Sequence, residues 1–119
     1  MVRVRASVYV PDRGDIVGID FSPHAGHEQA GTRPGLVISS AAYNGRSGLA
    51  LVCPITNQVK GYWFEVDLPK TLQVTGVVLA DQMRNVDWRV RRARKIARAP
   101  AAVVADVLER LDTLLRPTA

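Results

Sequence analysis

The strongest constraint on the fold is that only one segment of this 119-residue chain, at its C-terminus, has helical periodicity. Between residues 101 and 115, apolar residues recur at three- and four-residue steps, and charged residues occupy the other face. Pro100 suits the first turn, where an N–H donor is not needed, and Pro117 closes the segment. The sequence therefore predicts one amphipathic helix over residues 101–115, with its apolar stripe packed against strands.

The rest of the chain alternates short apolar runs with turn residues, a pattern typical of short β-strands. Asn44-Gly45 predicts a hairpin turn within residues 43–48, because both residue types tolerate positive φ. Polar loops are expected over residues 22–34 and 56–61. These features predict an α+β fold, a small, partly closed SH3-like β-barrel with a C-terminal helix. The predicted strands are residues 14–21, 36–40, 49–55, 63–68, 76–80 and 88–96.

Length and composition predict a single domain over residues 1–119, with a core that needs neither a metal nor a disulfide. We expect residues 1–8 to form a disordered leader. No run approaches the roughly 18 apolar residues of a membrane span, and no signal peptide is expected. Cys53 is the only cysteine and lies in an apolar run. It predicts a buried, inert thiol in a reducing compartment, by default the cytoplasm.

Positive charge is concentrated in one part of the chain. The net charge is +5, and seven of the 16 basic residues lie between residues 84 and 98, with Asp87 as the one acid there. Solubility alone can explain such a charge, and a solvated strand face would carry part of this run. Its concentration favours a polyanionic partner such as a nucleic acid.

The polar loop that ends at Pro34 carries the most chemistry. Arg33 can reach a phosphate with a bidentate fork, but an ordinary surface loop with an Arg–Glu pair explains the same residues equally well. His24 and His27 lie three apart there, without further residues at ligand spacing. We therefore expect no metal, and a two-histidine acid–base site is the weaker alternative. The loop's functional groups belong to Glu28, Gln29, Thr32 and Arg33.

Several segments, taken in order along the chain, form a recognisable pattern. They are residues 9–17, Asp20-Phe21-Ser22-Pro23, Gly26-His27-Glu28-Gln29-Ala30-Gly31-Thr32-Arg33-Pro34, Lys60-Gly61-Tyr62-Trp63-Phe64-Glu65-Val66, Gly76-Val77-Val78-Leu79-Ala80-Asp81-Gln82-Met83 and Trp88-Arg89. Together they closely resemble the toxins of the MazF/PemK family. The resemblance runs from Tyr9 to about Leu115. Its Glu-Gln-x-Gly-x-Arg-Pro loop and its Ala-Asp-Gln segment are specific as a pair.

The resemblance implies a sequence-specific endoribonuclease toxin, or mRNA interferase, that forms homodimers and cuts single-stranded RNA without a metal or other cofactor. Attack by the RNA 2′-hydroxyl would leave 2′,3′-cyclic phosphate and 5′-hydroxyl ends. A MazE-like acidic antitoxin would neutralise the toxin by covering the RNA groove with a poorly ordered tail. By position, the implied catalytic residues are Arg33, Thr56 and Glu28. The positions implied to contact RNA are Asp20, Phe21, Asn44, Lys60, Asp81 and Gln82.

The chemistry of the implied catalytic residues suits this reaction. Arg33 stays cationic and its fork matches phosphate oxygens, while Thr56 can donate a hydrogen bond to the developing phosphorane. Glu28 either accepts the 2′-hydroxyl proton or orients Arg33, because arginine is a poor base at neutral pH. Phe21, Tyr62 and Trp63 are the aromatics expected to stack on bases, Asn44 and Gln82 carry the amides expected to read base edges, and Phe64 is expected inside the core.

Departures from the family pattern and an alternative function remain. His27 stands where a small polar residue is frequent, so we do not expect it to be a required acid or base. Trp63 stands where proline is frequent. Toxins of the same fold inhibit DNA gyrase by protein contact and have no nuclease activity. Arg33 and Thr56 favour the nuclease, and a degenerate member that only binds its antitoxin is a third hypothesis.

Overall fold

The structure is a computed structural model that describes residues 8–20 and 32–117. Within those residues, seven strands and two α-helices form the fold. The elements in chain order are β1 (Asp15–Asp20), β2 (Thr32–Val37), α1 (Ala41–Ser47), β3 (Leu49–Thr56), β4 (Glu65–Asp67), β5 (Val77–Leu79), a 3-10 helix (Ala80–Gln82), β6 (Arg84–Asp87), β7 (Arg94–Arg98) and α2 (Ala101–Leu115).

The sheet is open and antiparallel, with the strand order β4-β5-β3-β2-β1-β7 and with β6 paired to β3. β3 is its centre. One edge of β3 pairs with β2, while the other edge pairs first with β6, Leu49 facing Asp87, and then with β5, Thr56 facing Val77. The predicted α+β class, with an antiparallel sheet followed by a C-terminal helix, is confirmed.

Apolar residues cover both faces of the sheet because side chains alternate along each strand. Ile16 belongs to one core cluster and its neighbour Val17 to the other. Cys53 is fully buried in the first cluster, as predicted, and burial together with the nearby charge of Asp81 raises the pKa of its thiol to about 12. Phe64 packs against the same cluster, which confirms that it lies inside.

α2 covers the first core cluster and has the predicted bounds. Val103, Val107 and Leu111 recur at four-residue steps, so all three point at the sheet and are buried. Burial of each such side chain contributes about 1.5–3 kcal/mol. In the part of the chain that the structure describes, no helix is long and apolar enough to cross a membrane.

The predicted hairpin turn at residues 43–48 is wrong, because this segment forms α1. Ser40 caps the helix by accepting a hydrogen bond from the Tyr43 N–H, and Asp12 accepts one from the Ala41 N–H. The residue with positive φ is Gly48, at +78°, which closes the helix. Local capping and a buried anchor at Asn44 therefore override the Asn-Gly turn signal.

The predicted strand over residues 88–96 is also wrong in its first part, because residues 88–93 form a turn between β6 and β7 and only the last residues of the segment belong to β7. The turn is held by the carboxylate of Asp87, which accepts from the Val90 N–H, and by the Trp88 carbonyl, which accepts from the Ala93 N–H. Arg92 adopts a φ of +53°. The indole of Trp88 is buried and donates to the Asn44 carbonyl, so tertiary packing fixes the break between β6 and β7.

Candidate active site

Arg33 and Thr56 meet on adjacent strands. Gly35 of β2 pairs with Pro54 of β3. Continuing this antiparallel register by two residues sets Arg33 of β2 opposite Thr56 of β3, on one face of the sheet. Both line a cavity of about 600 Å³, which we call the Arg33 groove. The sequence predicted Arg33 at the end of a loop, whereas it lies within β2, so its backbone is held by the sheet.

The Arg33 groove is cationic and rich in hydrogen-bond donors. Among the described residues that line it are the guanidinium groups of Arg33 and Arg94 and no carboxylate. Further polar lining comes from Thr32, Asn57, Gln73 and Thr75. Such a lining favours an anion, and a guanidinium fork matches the geometry of phosphate oxygens.

The hydroxyl of Thr56 is oriented by the backbone that follows it. Its oxygen accepts a hydrogen bond from the Gln58 N–H at 3.1 Å, so its proton is free to be donated elsewhere. Gly76 lies directly behind this residue, with a φ of +113°, and a Cβ there would come within 2.2 Å of the Thr56 carbonyl oxygen. The position of Thr56 therefore depends on a glycine that is distant in sequence.

A second cavity of about 230 Å³ shares Thr56 and brings in the predicted residues Lys60 and Gln82, together with Tyr62. We call it the Lys60 pocket. Its loop is braced by the carboxylate of Glu65, whose two oxygens accept from the Lys60 and Gly61 N–H groups at 2.9 and 2.8 Å. The brace keeps the Lys60 backbone beside Thr56.

The two exposed aromatic residues of this loop have different surroundings. Tyr62 is exposed and lines the Lys60 pocket. Trp63 is exposed as well, but its carbonyl accepts a hydrogen bond from Arg110 of α2, and the Arg110 guanidinium stacks over its ring at 4.8 Å. Tyr62 is therefore better placed than Trp63 to stack on a base in the pocket.

The remaining predicted residues are distributed as follows. Asp20 ends β1 and pairs in register with Thr32, a residue of the Arg33 groove. Asp81 is exposed on the 3-10 helix beside Gln82. Five residues singled out in the sequence lie outside the described residues: Phe21, His24, His27, Glu28 and Gln29. Residues 8–20 and 32–117 contain no group of three or more His, Cys, Asp or Glu side chains suited to hold a metal ion.

The prediction that Asn44 contacts RNA is wrong, because its side chain is fully buried. The amide nitrogen donates to the carbonyls of Pro11 and Ser39 at 2.7 and 3.0 Å, and the amide oxygen accepts from the Ser39 hydroxyl at 2.5 Å. All of its hydrogen-bonding groups are thus used within the protein. Asn44 holds α1 against the segment before β1.

The basic run at residues 84–98 does not form one surface. Arg94 lines the Arg33 groove. Arg98 and Lys95 instead approach the buried carboxylate of Asp15, at 2.8 and 3.7 Å, and Arg89 stacks over the ring of Trp88. Burial alone would raise the pKa of Asp15, but hydrogen bonds from Tyr9, the Asp12 N–H and Arg98, and the charge of Lys95, hold that pKa below its ordinary value.

Several residues of the groove were missed in the sequence. Asn57, Gln73 and Thr75 line it with Arg33, yet none stood out by type or spacing. A signal existed only for Asn57, which directly follows Thr56. Gln73 and Thr75 enter the groove because β5 pairs with the end of β3, which is a tertiary fact.

Fold and groove together define a small sheet protein suited to hold a phosphodiester chain, and comparison with known proteins gives the family. A family model described as a PemK-like, MazF-like toxin of type II toxin–antitoxin systems matches residues 12–115. The endoribonuclease toxin MazF of Escherichia coli (strain K12) is 49% identical over 89 residues, which make up 75% of this chain and 79% of that protein.

Solved structures agree with this comparison. A MazE–MazF complex from Deinococcus radiodurans superposes with a TM-score of 0.84 at 50% identity, over 93% of this chain and 100% of that chain. A MazF structure from the same organism gives a TM-score of 0.82 at 57% identity, over 91% of this chain and 98% of that one. The chain belongs to the PemK/MazF toxin family.

Proposed function

We propose that this chain is the endoribonuclease toxin of a type II toxin–antitoxin pair and that it cuts single-stranded RNA in the Arg33 groove. The observation that carries the proposal is the placement of Arg33 opposite Thr56 in one cationic cavity. Membership of the PemK/MazF family supports the same reaction, because the relative from Escherichia coli is named an endoribonuclease toxin.

RNA supplies its own nucleophile, so the protein has three tasks. It aligns the 2′-oxygen with the scissile phosphorus, stabilises the added negative charge and assists two proton transfers. The 2′-oxygen forms a bond to phosphorus while the bond from phosphorus to the 5′-oxygen breaks. The 2′-hydroxyl loses its proton and the 5′-oxygen gains one, which leaves a 2′,3′-cyclic phosphate and a 5′-hydroxyl. No water is consumed in this step.

Charge stabilisation falls to the two facing residues. Arg33 stays protonated and offers a fork of N–H groups to the non-bridging phosphate oxygens. The Thr56 hydroxyl already accepts from the Gln58 N–H, so its own proton is donated to the same phosphate. Their task is to hold the phosphorane, because a guanidinium that keeps its protons at neutral pH is poorly matched to removing another.

We assign the removal of the 2′-hydroxyl proton to Glu28, on the strength of the family resemblance. Glu65 is the carboxylate of the neighbouring Lys60 pocket, where its two oxygens accept from the backbone N–H groups of Lys60 and Gly61, so we assign it the task of holding that loop. The chemistry of the proposed residues requires no metal ion or other cofactor.

Base recognition is proposed for the Lys60 pocket. It continues from Thr56, so a strand whose phosphate lies at Thr56 can place a neighbouring nucleotide there. Tyr62 offers a ring for stacking, Gln82 an amide for a base edge and Lys60 a charge for a phosphate. Asp20, Phe21 and Asp81 remain proposed RNA contacts.

The alternative function, inhibition of DNA gyrase by protein contact, is not supported. The relatives of this chain carry endoribonuclease names, and Arg33 and Thr56, the pair proposed for cleavage, line one cavity. Such a pair has no evident task in a toxin that acts only by binding a protein.

We propose a MazE-like acidic antitoxin, a homodimeric state and a cytoplasmic location on the basis of the family. The related toxin from Deinococcus radiodurans was solved as a MazE–MazF complex. An acidic, poorly ordered tail suits the cationic Arg33 groove, so RNA and antitoxin should exclude each other and both should bind more weakly at high salt. Competition between labelled, non-cleavable RNA and an acidic antitoxin peptide tests this, and a ternary complex would contradict it. Sedimentation of the purified chain tests the dimer.

The test of the activity is cleavage in excess EDTA. Purified protein is incubated with a mixed-sequence single-stranded RNA, and the ends are mapped for 5′-hydroxyl groups. The Arg33→Ala variant, purified in parallel, controls for contaminating ribonucleases. Cleavage by the wild type alone, leaving 5′-hydroxyl ends, is the expected result. Loss of cleavage in EDTA with recovery in magnesium would contradict the mechanism.

A further inference from the structure

Asn57 is an exposed amide held beside the proposed catalytic pair. It directly follows Thr56 and lines the Arg33 groove. A strand whose scissile phosphate lies between Arg33 and Thr56 must pass its flanking nucleotides close to this side chain. The location suits recognition of a base, which for single-stranded RNA proceeds through hydrogen bonds to base edges.

The amide of Asn57 is fixed in orientation by residues from the other side of the groove. The Thr75 hydroxyl donates to Asn57 Oδ1 at 3.0 Å. Gly76, the next residue, lacks the Cβ that would lie 2.9 Å from the same oxygen. The Thr75 hydroxyl therefore holds the oxygen end of the amide, and the absence of a Cβ at Gly76 leaves room for that oxygen.

This arrangement leaves the nitrogen end of the amide for a ligand. With Oδ1 engaged by Thr75, Nδ2 still carries two N–H groups, and among the described residues it has no hydrogen-bond partner. The groove therefore presents a pre-oriented donor next to Thr56. A donor fixed before binding discriminates better than a freely rotating amide, which can offer either its oxygen or its nitrogen.

A fixed donor that meets the exocyclic group at C4 of a pyrimidine or C6 of a purine separates the four bases into two classes. Uracil and guanine carry an exocyclic keto oxygen that accepts, whereas cytosine and adenine carry an exocyclic amino group at the corresponding position, which donates. We propose that Asn57, positioned by Thr75, is a specificity-determining residue that selects a keto base at one of the two nucleotides flanking the scissile phosphate. The inference rests on the proposed endoribonuclease function.

The experiment compares cleavage patterns on a randomised single-stranded RNA, with 5′-hydroxyl ends sequenced after limited digestion. The wild type is expected to enrich uracil and guanine at one flanking position. Asn57→Asp keeps the acceptor for Thr75 but replaces the donor with a second acceptor. It is expected to shift the ratio of keto to amino bases at that position roughly tenfold towards cytosine and adenine.

Three further variants separate recognition from charge and from folding. Gln73→Glu adds the same negative charge to the same groove and is expected to slow cleavage at all sites with the base preference unchanged. Asn57→Ala is expected to flatten the preference. Thr75→Val frees the amide to rotate and is expected to flatten the preference as well. Thermal unfolding of every variant confirms that it is folded.

Two results would overturn the inference, and they are distinguishable from failure of the proposed function. The first is a wild-type pattern without a keto preference at either flanking nucleotide. The second is an Asn57→Asp pattern that matches the wild type, or that Gln73→Glu reproduces. A folded wild type that leaves all RNA intact would overturn the proposed function itself, and the inference with it.

Discussion

Two polar regions of the molecule differ in where their hydrogen bonds go. Around Asn44, every hydrogen-bonding group of the amide is satisfied by Pro11 and Ser39, and the side chain is fully buried. In the Arg33 groove, the Thr56 hydroxyl and the Asn57 amide each have one internal partner and keep a donor for something outside the protein. We call these the closed cluster and the open cluster.

The difference separates stability from function. Groups of the closed cluster are buried, so removing one leaves unsatisfied partners and destabilises the fold. Groups of the open cluster are oriented but solvated, so removing one costs little stability and takes away an interaction with the ligand. Residue type alone does not distinguish the two cases, since each cluster contains an asparagine beside a hydroxyl. The following predictions test the distinction, from the largest expected effect to the smallest.

Arg33→Ala should lower the cleavage rate by on the order of 10²–10³, because the phosphorane loses a charged donor. Thermal unfolding should be unchanged, since the side chain is exposed. Arg33→Lys should restore little of the rate, because a point charge does not reproduce the fork. Single-turnover cleavage of a defined RNA measures these rates. Arg46→Ala, which removes an exposed guanidinium from α1, is the matched control, and an Arg33→Ala rate within tenfold of it would contradict the assignment.

Asn44→Ala should lower the free energy of unfolding by about 3 kcal/mol, since it leaves buried polar partners unsatisfied and opens a cavity. Asn57→Ala, the corresponding change in the open cluster, should stay within about 0.5 kcal/mol. Urea unfolding of both variants measures the contrast. Equal losses in the two variants would show that the clusters are not energetically distinct.

Asp15→Asn should lower the free energy of unfolding by about 2 kcal/mol at neutral pH, because a buried carboxylate that accepts from Tyr9 and Arg98 loses its charge. The folded-state pKa of Asp15 is lowered. Its contribution is therefore complete above the unfolded pKa of about 3.9 and is lost as the pH falls through the folded value.

Wild type and Asp15→Asn should consequently converge in stability as the pH drops below about 4. Unfolding measured across an acid pH series checks this. Asp112→Asn is the control, because Asp112 belongs to an exposed helix pair with Arg116 and should change stability by less than about 1 kcal/mol. A difference between wild type and Asp15→Asn that is constant down to pH 2 would contradict the charge argument.

Gly48→Ala and Gly61→Ala should each cost about 1 kcal/mol, because both positions have left-handed φ and open space around an added Cβ. Gly48 closes α1 beside the closed cluster, whereas the Gly61 N–H donates to Glu65 in the loop of the Lys60 pocket. Only Gly61→Ala is therefore expected to reduce cleavage, by a few-fold. Paired unfolding and cleavage measurements on the two variants separate backbone strain from an effect on the site.

The sequence by itself determined the features that depend on local periodicity. The four-residue recurrence of Val103, Val107 and Leu111 is sufficient to predict α2, because a helix buries one face whatever it packs against. The apolar run around Cys53 predicts a buried strand, because a short, continuous apolar run between turn residues is typical of one. The motif around Arg33 and the position of Thr56 identified the catalytic candidates, because the resemblance to the family covers nearly the whole chain.

The tertiary structure decided which polar groups are closed and which are open. Asn44 was predicted to face RNA and is instead enclosed between α1 and the segment before β1, where its partners come from Pro11 and Ser39. Asn57 was not singled out, yet Thr75, eighteen positions away, orients it in the groove. Burial and hydrogen-bond partners arise from strand register and from contacts between distant segments. Neither leaves a local periodicity in the sequence, so only the folded chain shows which amide is structural and which is available to a ligand.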